Sequence, residues 1–317
     1  MLIVLFSFLF SFFIVQFLMP FTRRVALQFR LVDKPGGRKI HNQPIPLSGG
    51  PAVFIGIAVT LLLFIPQSYM TPILLVGALA LGIAGLIDDA YKAKGKDFPA
   101  WPKLAAQILT ALFVYQSGIE LYGITNPMHI DGFIVFPEWI SLPATILWIV
   151  SFINMFNFID GVDGLASGVS TISGITLFFI GFVRGQADIL LPIAVLVGAS
   201  VAFLRHNFHP ATVFLGDTGS MVLGYMLAVI SLAGAMKGAT LVTIGVTLLA
   251  LGFPVLDTIQ VMIRRIKEGS PVYKADRRHV HHRLLASGLT QRQTVWVVYA
   301  ISIIFSMIAI VLLFLTM

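Results

Sequence analysis

Between Asn154 and Gly168 the chain reads NMFNFIDGVDGLASG, and four amide or carboxylate side chains recur at every third residue: Asn154, Asn157, Asp160 and Asp163. In a helix that spacing brings successive members of the series close together. Apolar runs over 139–158 and 165–183 flank the segment. Each is about the 17–25 residues that a helix needs to cross a bilayer. Ionisable groups at the edge of a span are costly, so they read as a functional site by default. Gly161, Gly164 and Gly168 relax the backbone there and would admit a bulky ligand. A competing reading makes Asp163 the N-cap of the next helix, but it leaves the other three polar groups unexplained.

Two further carboxylate sites accompany this one. Asp88 and Asp89 end an apolar run in LGIAGLIDDAYKAKG. Adjacent carboxylates at a helix C-terminus oppose the helix dipole, so the pair is expected to serve a metal–phosphate complex or proton abstraction. Asp217 lies in FLGDTGSM among small residues, where it suits either an N-cap or a carboxylate open to a diphosphate. Just upstream, Arg205, His206, Asn207 and His209 gather more polar groups than a turn needs, and Asn207 is taken as a substrate contact.

Near the C-terminal end, DRRHVHHRLL crowds His279, His281 and His282 among Arg277, Arg278 and Arg283. The chain has no cysteine, and the neighbouring cations would oppose a second cation. An anion site fits better than zinc, with Arg278 and the three histidines donating to phosphates. A basic loop on lipid headgroups is the alternative. Carboxylates and amides without sulfur favour Mg²⁺, with Mn²⁺ as the alternative ion. A divalent ion among cations at a membrane surface is what a nucleotide diphosphate substrate needs. Neither a Walker A nor a GxGxxG pattern occurs, which excludes a P-loop ATPase and a dinucleotide-binding enzyme.

The elements that must position these residues are membrane helices. Of 317 residues, 57% are hydrophobic and only 11% charged, more apolar surface than a soluble domain of this length can bury. The sequence is therefore expected to be an all-α polytopic integral membrane protein, one membrane domain over 1–317, bound to the lipid bilayer. About ten spans are expected, near 1–21, 48–65, 71–87, 100–118, 139–157, 165–183, 188–204, 218–235, 239–262 and 294–316. The N-terminal stretch has neither a basic leader nor a small-residue cleavage site and reads as a retained span. Threading from an outside N-terminus places 19 of the 21 basic residues in cytoplasmic loops, which fixes the orientation. Both termini are then extracytoplasmic and the polar clusters face the cytoplasm. Since the basic residues follow the loops, the net charge of +7 implies topology control and no nucleic-acid partner. Asp131-Gly132 within the outside segment 119–138 suggests a small β-hairpin. The first inside loop, DKPGGRKIHNQPIPLSGG, carries Arg38, Lys39 and His41 but is a weak signal alone.

With VDKPGGRKIH, PLSGG, LIDDAYK, NMFNFIDGVDGLASG, NFHPATVFLGDTGS and DRRHVHHRLL in this order, the sequence resembles the polyprenyl-phosphate N-acetylhexosamine-1-phosphate transferases. It looks most like their WecA/TagO-like branch, which makes undecaprenyl-diphospho-N-acetylglucosamine. The resemblance covers essentially the whole chain. It implies transfer of a sugar 1-phosphate from UDP-N-acetylglucosamine to undecaprenyl phosphate in a bacterial cytoplasmic (inner) membrane, releasing UMP. It also implies a catalytic or lipid-phosphate role for Asp88 and Asp89, and magnesium ligation by Asp217 with Asn157. Asp160 and Asp163 match a catalytic loop on the nucleotide side, and Lys103 matches a lysine near the phosphates. His279, His281 and His282 match the branch's histidine motif. Val280 interrupts what is a run of three histidines in lipid-I-forming relatives, favouring UDP-N-acetylglucosamine over the muramyl-pentapeptide donor. A homodimer is compatible with this reading. The competing readings are the same reaction with another UDP-N-acetylhexosamine, and a secondary transporter, whose sites tend to lie near the midplane between repeats.

Overall fold

Helices satisfy their own backbone polar groups, which is why apolar runs of this length adopt them in lipid. The computed structural model describes residues 1–33, 43–125, 133–236, 241–267 and 279–315. In chain order the helices are α1 (Leu2–Gln28), α2 (Gly49–Phe64), α3 (Met70–Ala93), α4 (Ala100–Gln116), α5 (Glu138–Ile159) and α6 (Leu165–Val183). They continue as α7 (Ala187–Asn207), α8 (Gly216–Met236), α9 (Leu241–Ala250), α10 (Gly252–Lys267), α11 (Val280–Ala286) and α12 (Gln291–Leu315). Seven of these described helices, α1, α3, α5, α6, α7, α8 and α12, are long and apolar enough to cross a membrane. The protein is a multi-pass, all-α membrane protein.

The remaining expected spans depart from full length. α2 has 16 residues and α4 has 17. The ninth, expected as one helix over 239–262, is instead two, α9 and α10, separated at Leu251. Pro254 explains the break, because it has no N–H to donate and its ring crowds the carbonyl four residues back. Among the described residues, two short antiparallel ladders accompany the helices. β1 (Val32–Asp33) pairs with β2 (Ile45–Pro46). β3 (Gly123–Thr125) pairs with β4 (Phe133–Val135), with Ile124 opposite Ile134. The second ladder is the expected hairpin, although Asp131-Gly132 lies outside the described residues, as do Arg38, Lys39 and His41.

The core is organised on α8, which packs against α2, α3, α5, α6, α7 and α9 and is buried along its whole span. Polar tips within this core find backbone partners. Tyr225 Oη donates to the Ile73 carbonyl at 2.7 Å, and Trp148 Nε1 donates to the Ala228 carbonyl at 3.2 Å. α1 and α12 lie at the periphery, where Phe13, Phe17, Met307 and Val311 are exposed. α12 also braces the polar segment after α5, because Tyr299 Oη donates to the Gly164 carbonyl at 2.6 Å. Gly168 makes room for that ring: a β-carbon there would lie 1.8 Å from Tyr299 Oη. The small residue therefore serves helix packing and not, as its sequence suggests, the approach of a ligand. Gly168→Ala is expected to lower stability by about 1–3 kcal/mol through overpacking. Tyr299→Phe, which loses one hydrogen bond, should cost about 1 kcal/mol. Thermal unfolding of the purified protein in detergent reads both.

Candidate active site

The penultimate turn of α3 delivers Asp88 and Asp89, and the first turn of α8 delivers Asp217. All three are buried, and each offers an oxygen within 4.8 Å of the others. What brings the two helices together is Asp89. Its Oδ1 accepts the Asp217 N–H at 2.9 Å, and its Oδ2 accepts the Thr218 N–H at 3.1 Å and the Thr218 hydroxyl at 2.7 Å. The opening amides of a helix have no partner within it. Here a carboxylate from another helix supplies one, so Asp217 is capped and does not itself cap. Gly216, with φ +71°, turns the chain into α8, and a β-carbon on it would meet Asp89 Oδ2 at 2.5 Å.

Asp88 is turned toward two ammonium groups. Lys92 Nζ lies 2.8 Å from Asp88 Oδ2 and also binds Asp217 Oδ1. Lys103 Nζ, from the first turn of α4, lies 2.8 Å from Asp217 Oδ2 and 3.3 Å from Asp88 Oδ2. Asp88 Oδ2, buried like the rest of the carboxylate, therefore sits between both ammonium groups. Lys92 was read from the sequence only as a loop charge, and its place four residues after Asp88 on one helix face is the signal that could have found it. The donor set fits a hard divalent cation, which takes oxygen ligands at about 2.0–2.1 Å for Mg²⁺. Asp217 would hold it, with Asp88 and Asp89 close beside it.

A cavity of 520 Å³ opens beside this cluster, within the range of about 300–1,000 Å³ that suits small-molecule sites. Asp89, Lys92, Asp160, Asp163, Asn207, Asp217 and His282 are among its lining residues. Asp160 follows the last turn of α5. Burial, with the negative charges of Asp217 and Asp89, pushes its carboxyl well above the usual carboxylate range. Asp163 does not cap α6, since Gly164 occupies the N-cap position with φ +81°. Its Oδ2 instead accepts from His209 Nδ1 at 2.8 Å and from the Ala211 N–H at 3.1 Å. Asn207 ties the same two loops: Oδ1 accepts the Gly164 N–H at 2.9 Å, and Nδ2 donates to the Val213 carbonyl at 3.0 Å. One amide hydrogen and one lone pair remain for another partner.

The every-third-residue series thus divides. Asn154 pairs with Gln107 of α4, donating to its Oε1 at 2.7 Å, and Asn157 donates to Ser220 Oγ at 3.0 Å, one turn below Asp217. Asp160 and Asp163 alone of the four line the cavity. The histidines divide as well. His282 lines the cavity, and His281 is fully buried against Gly161 with neither ring nitrogen hydrogen-bonded. His279 Nδ1 lies 2.8 Å from Asp257 Oδ2, a carboxylate on α10 that sequence reading missed. Arg278 lies outside the described residues.

A family model described as glycosyl transferase family 4 matches residues 71–235, from α3 to α8. The chain belongs to this family. As a family-4 glycosyl transferase it is an enzyme of sugar-phosphate transfer, and the transporter reading is set aside. It is 37% identical, over 96% of its length and 84% of the relative's, to a probable undecaprenyl-phosphate N-acetylglucosaminyl 1-phosphate transferase of Bacillus subtilis. It is 34% identical to a decaprenyl-phosphate N-acetylglucosaminephosphotransferase of Mycolicibacterium smegmatis, over 90% of this chain and 76% of that one. A phospho-N-acetylmuramoyl-pentapeptide-transferase of Streptococcus pyogenes is 32% identical over 90% of this chain and 89% of its own.

Two outcomes follow from this geometry. Asp89→Ala strands the buried amides of Asp217 and Thr218 and should cost about 1–3 kcal/mol, read as a lowered melting temperature. His281 supplies a pH dependence: burial, reinforced by neighbouring His282, lowers its pKa from 6.5 to about 3. The unfolded chain therefore binds more protons between those values, and stability falls as pH drops through that window. Melting temperatures measured across it should fall less steeply for His281→Gln than for the unaltered protein.

Proposed function

We propose that the enzyme transfers N-acetylglucosamine 1-phosphate from UDP-N-acetylglucosamine to undecaprenyl phosphate, releasing UMP, as the first membrane step of a cell-envelope glycan. The observation that carries this reading is the pairing of Asp88 and Asp217 with Lys92 and Lys103 at the edge of a nucleotide-sized cavity. The names of the N-acetylglucosaminyl relatives and the interruption at Val280 support the sugar. The basic loops support a bacterial inner membrane with the site on the cytoplasmic side, and one membrane domain over 1–317.

In this mechanism an oxygen of the lipid phosphate attacks the β-phosphorus of the donor. The bond from that phosphorus to the bridging oxygen breaks, and UMP leaves with the bridging oxygen. The lipid phosphate has a second pKa near 6, so it is largely dianionic at neutral pH and needs no general base. Asp88 accordingly acts on the acceptor through Lys92 and Lys103, which it holds in place, and does not remove a proton. Lys92 and Lys103 donate to the phosphates, with Arg278 and His282 as further donors. Asp163 and Asn207 hold the loops that receive the nucleotide, and Asp160 lines the cavity beside them. Bound on Asp217, with Asn157 steadying that turn through Ser220, Mg²⁺ would neutralise charge developing on the leaving phosphate.

Detergent-purified protein given UDP-N-acetylglucosamine, undecaprenyl phosphate and Mg²⁺ should release UMP only when all three are present. EDTA should abolish release, and Asp217→Asn should lower it by about 10²-fold or more. Release with another UDP-N-acetylhexosamine alone would keep the chemistry and replace the donor. A sugar phosphate left covalently on the protein after donor alone would overturn direct attack.

A further inference from the structure

Asp257 sits on α10, whose outer face presents Leu256, Ile259 and Ile263. Its carboxylate is 2% exposed, and a buried carboxylate is expensive unless both oxygens are engaged. Both are engaged, and by one segment. Oδ1 accepts the N–H of Val280, the first residue of α11, at 2.7 Å, and Oδ2 accepts from His279 Nδ1 at 2.8 Å. A carboxylate can only accept, so the His279 proton is fixed on Nδ1.

The His279 ring is then held on two sides. Phe158, in the last turn of α5, lies 5.4 Å away, and His281 stacks at 5.8 Å with the rings 8° apart. His281 in turn meets His282 at 4.2 Å, and its Nε2 packs over Gly161 at the cavity wall. A continuous series of rings thus runs from Asp257 to the one histidine that lines the cavity among the described residues. None of the carboxylates proposed for chemistry belongs to this series.

We propose that Asp257 is a positioning residue of the transfer reaction: by fixing the ring of His279 and the start of α11, it sets His282 against the phosphates of the donor. This rests on the function proposed above. Asp257 touches neither the cavity nor the reacting atoms and acts wholly through the histidines. Asn at this position keeps an oxygen for the Val280 N–H but can present its amide N–H₂ to His279, which must then move its proton to Nε2.

The test compares full-length Asp257→Asn, Asp257→Ala, His279→Asn and His279→Ala with the unaltered protein. His279→Asn keeps an N–H₂ donor near the Nδ1 position. Asp257→Asn should raise KM for UDP-N-acetylglucosamine about tenfold, in line with losing a hydrogen bond to a charged group, while KM for undecaprenyl phosphate and the melting temperature stay close to the unaltered values. Histidine ¹⁵N spectra should show one ring changing from the Nδ1-protonated to the Nε2-protonated form. His279→Asn should lose less in KM than His279→Ala, and its loss should not add to that of Asp257→Ala. A donor KM unchanged in folded Asp257→Asn, or additive losses, would overturn the proposal. If the unaltered protein fails to use this donor, the donor assignment fails by itself. The tautomer signal then still decides whether Asp257 sets the ring, and its absence would overturn that.

Discussion

The site depends on one carboxylate that joins two helices. Asp89 accepts three hydrogen bonds from the first turn of α8, and by doing so fastens the end of α3 to the start of α8. Unpaired amides at a buried helix start would be costly where water is scarce. Satisfying them from a neighbouring helix makes the contact directional as well as close. Asp217 is thereby fixed beside Asp88, and two negative charges converge that would otherwise stay apart. Lys92 and Lys103 answer that charge, and the positive end of the α8 dipole eases the conflict of two carboxylates at the C-terminal end of α3.

Around this junction the polar residues fall into two groups with different duties. Asp163, Asn207, His279 and Tyr299 spend their hydrogen bonds on backbone or on each other's loops. They turn irregular segments between spans into rigid walls. Asp88, Lys92, Lys103 and His282 keep capacity directed at other charges or at the cavity. The rigid group is needed because irregular backbone between spans must be satisfied by protein.

Much of this was legible in the sequence. Apolar run lengths gave the helices, and Asp88, Asp89, Asp160, Asp163 and Asp217 stood out because charge at a span end is costly. The division of labour within these pairs was not legible. Whether Asp88 or Asp89 caps α8 depends on the facing of one helix against another, and Asp217 looked like an N-cap because the competing cap lies 128 residues away. The split of the ninth span was encoded by Pro254, but the apolar character on both sides concealed it. Asp257 was hidden because a lone acidic residue in an apolar run carries no local motif. Its partner, His279, lies beyond the segment that follows α10.

The burial of α8 along its whole span has a consequence for how the enzyme lives in membranes of different make-up. A bilayer that thickens or thins acts on the helices its acyl chains touch, which here include peripheral α1 and α12. Those helices can tilt at modest cost, fractions of a kcal/mol per Å of mismatch. α8 meets neighbouring protein on every side, so acyl chain length reaches Asp217 only through packed helices. At the junction of α3 and α8, it is α8 that is shielded from the lipid in which the acceptor itself is dissolved, whereas α3 exposes Ile83, Leu86 and Ile87.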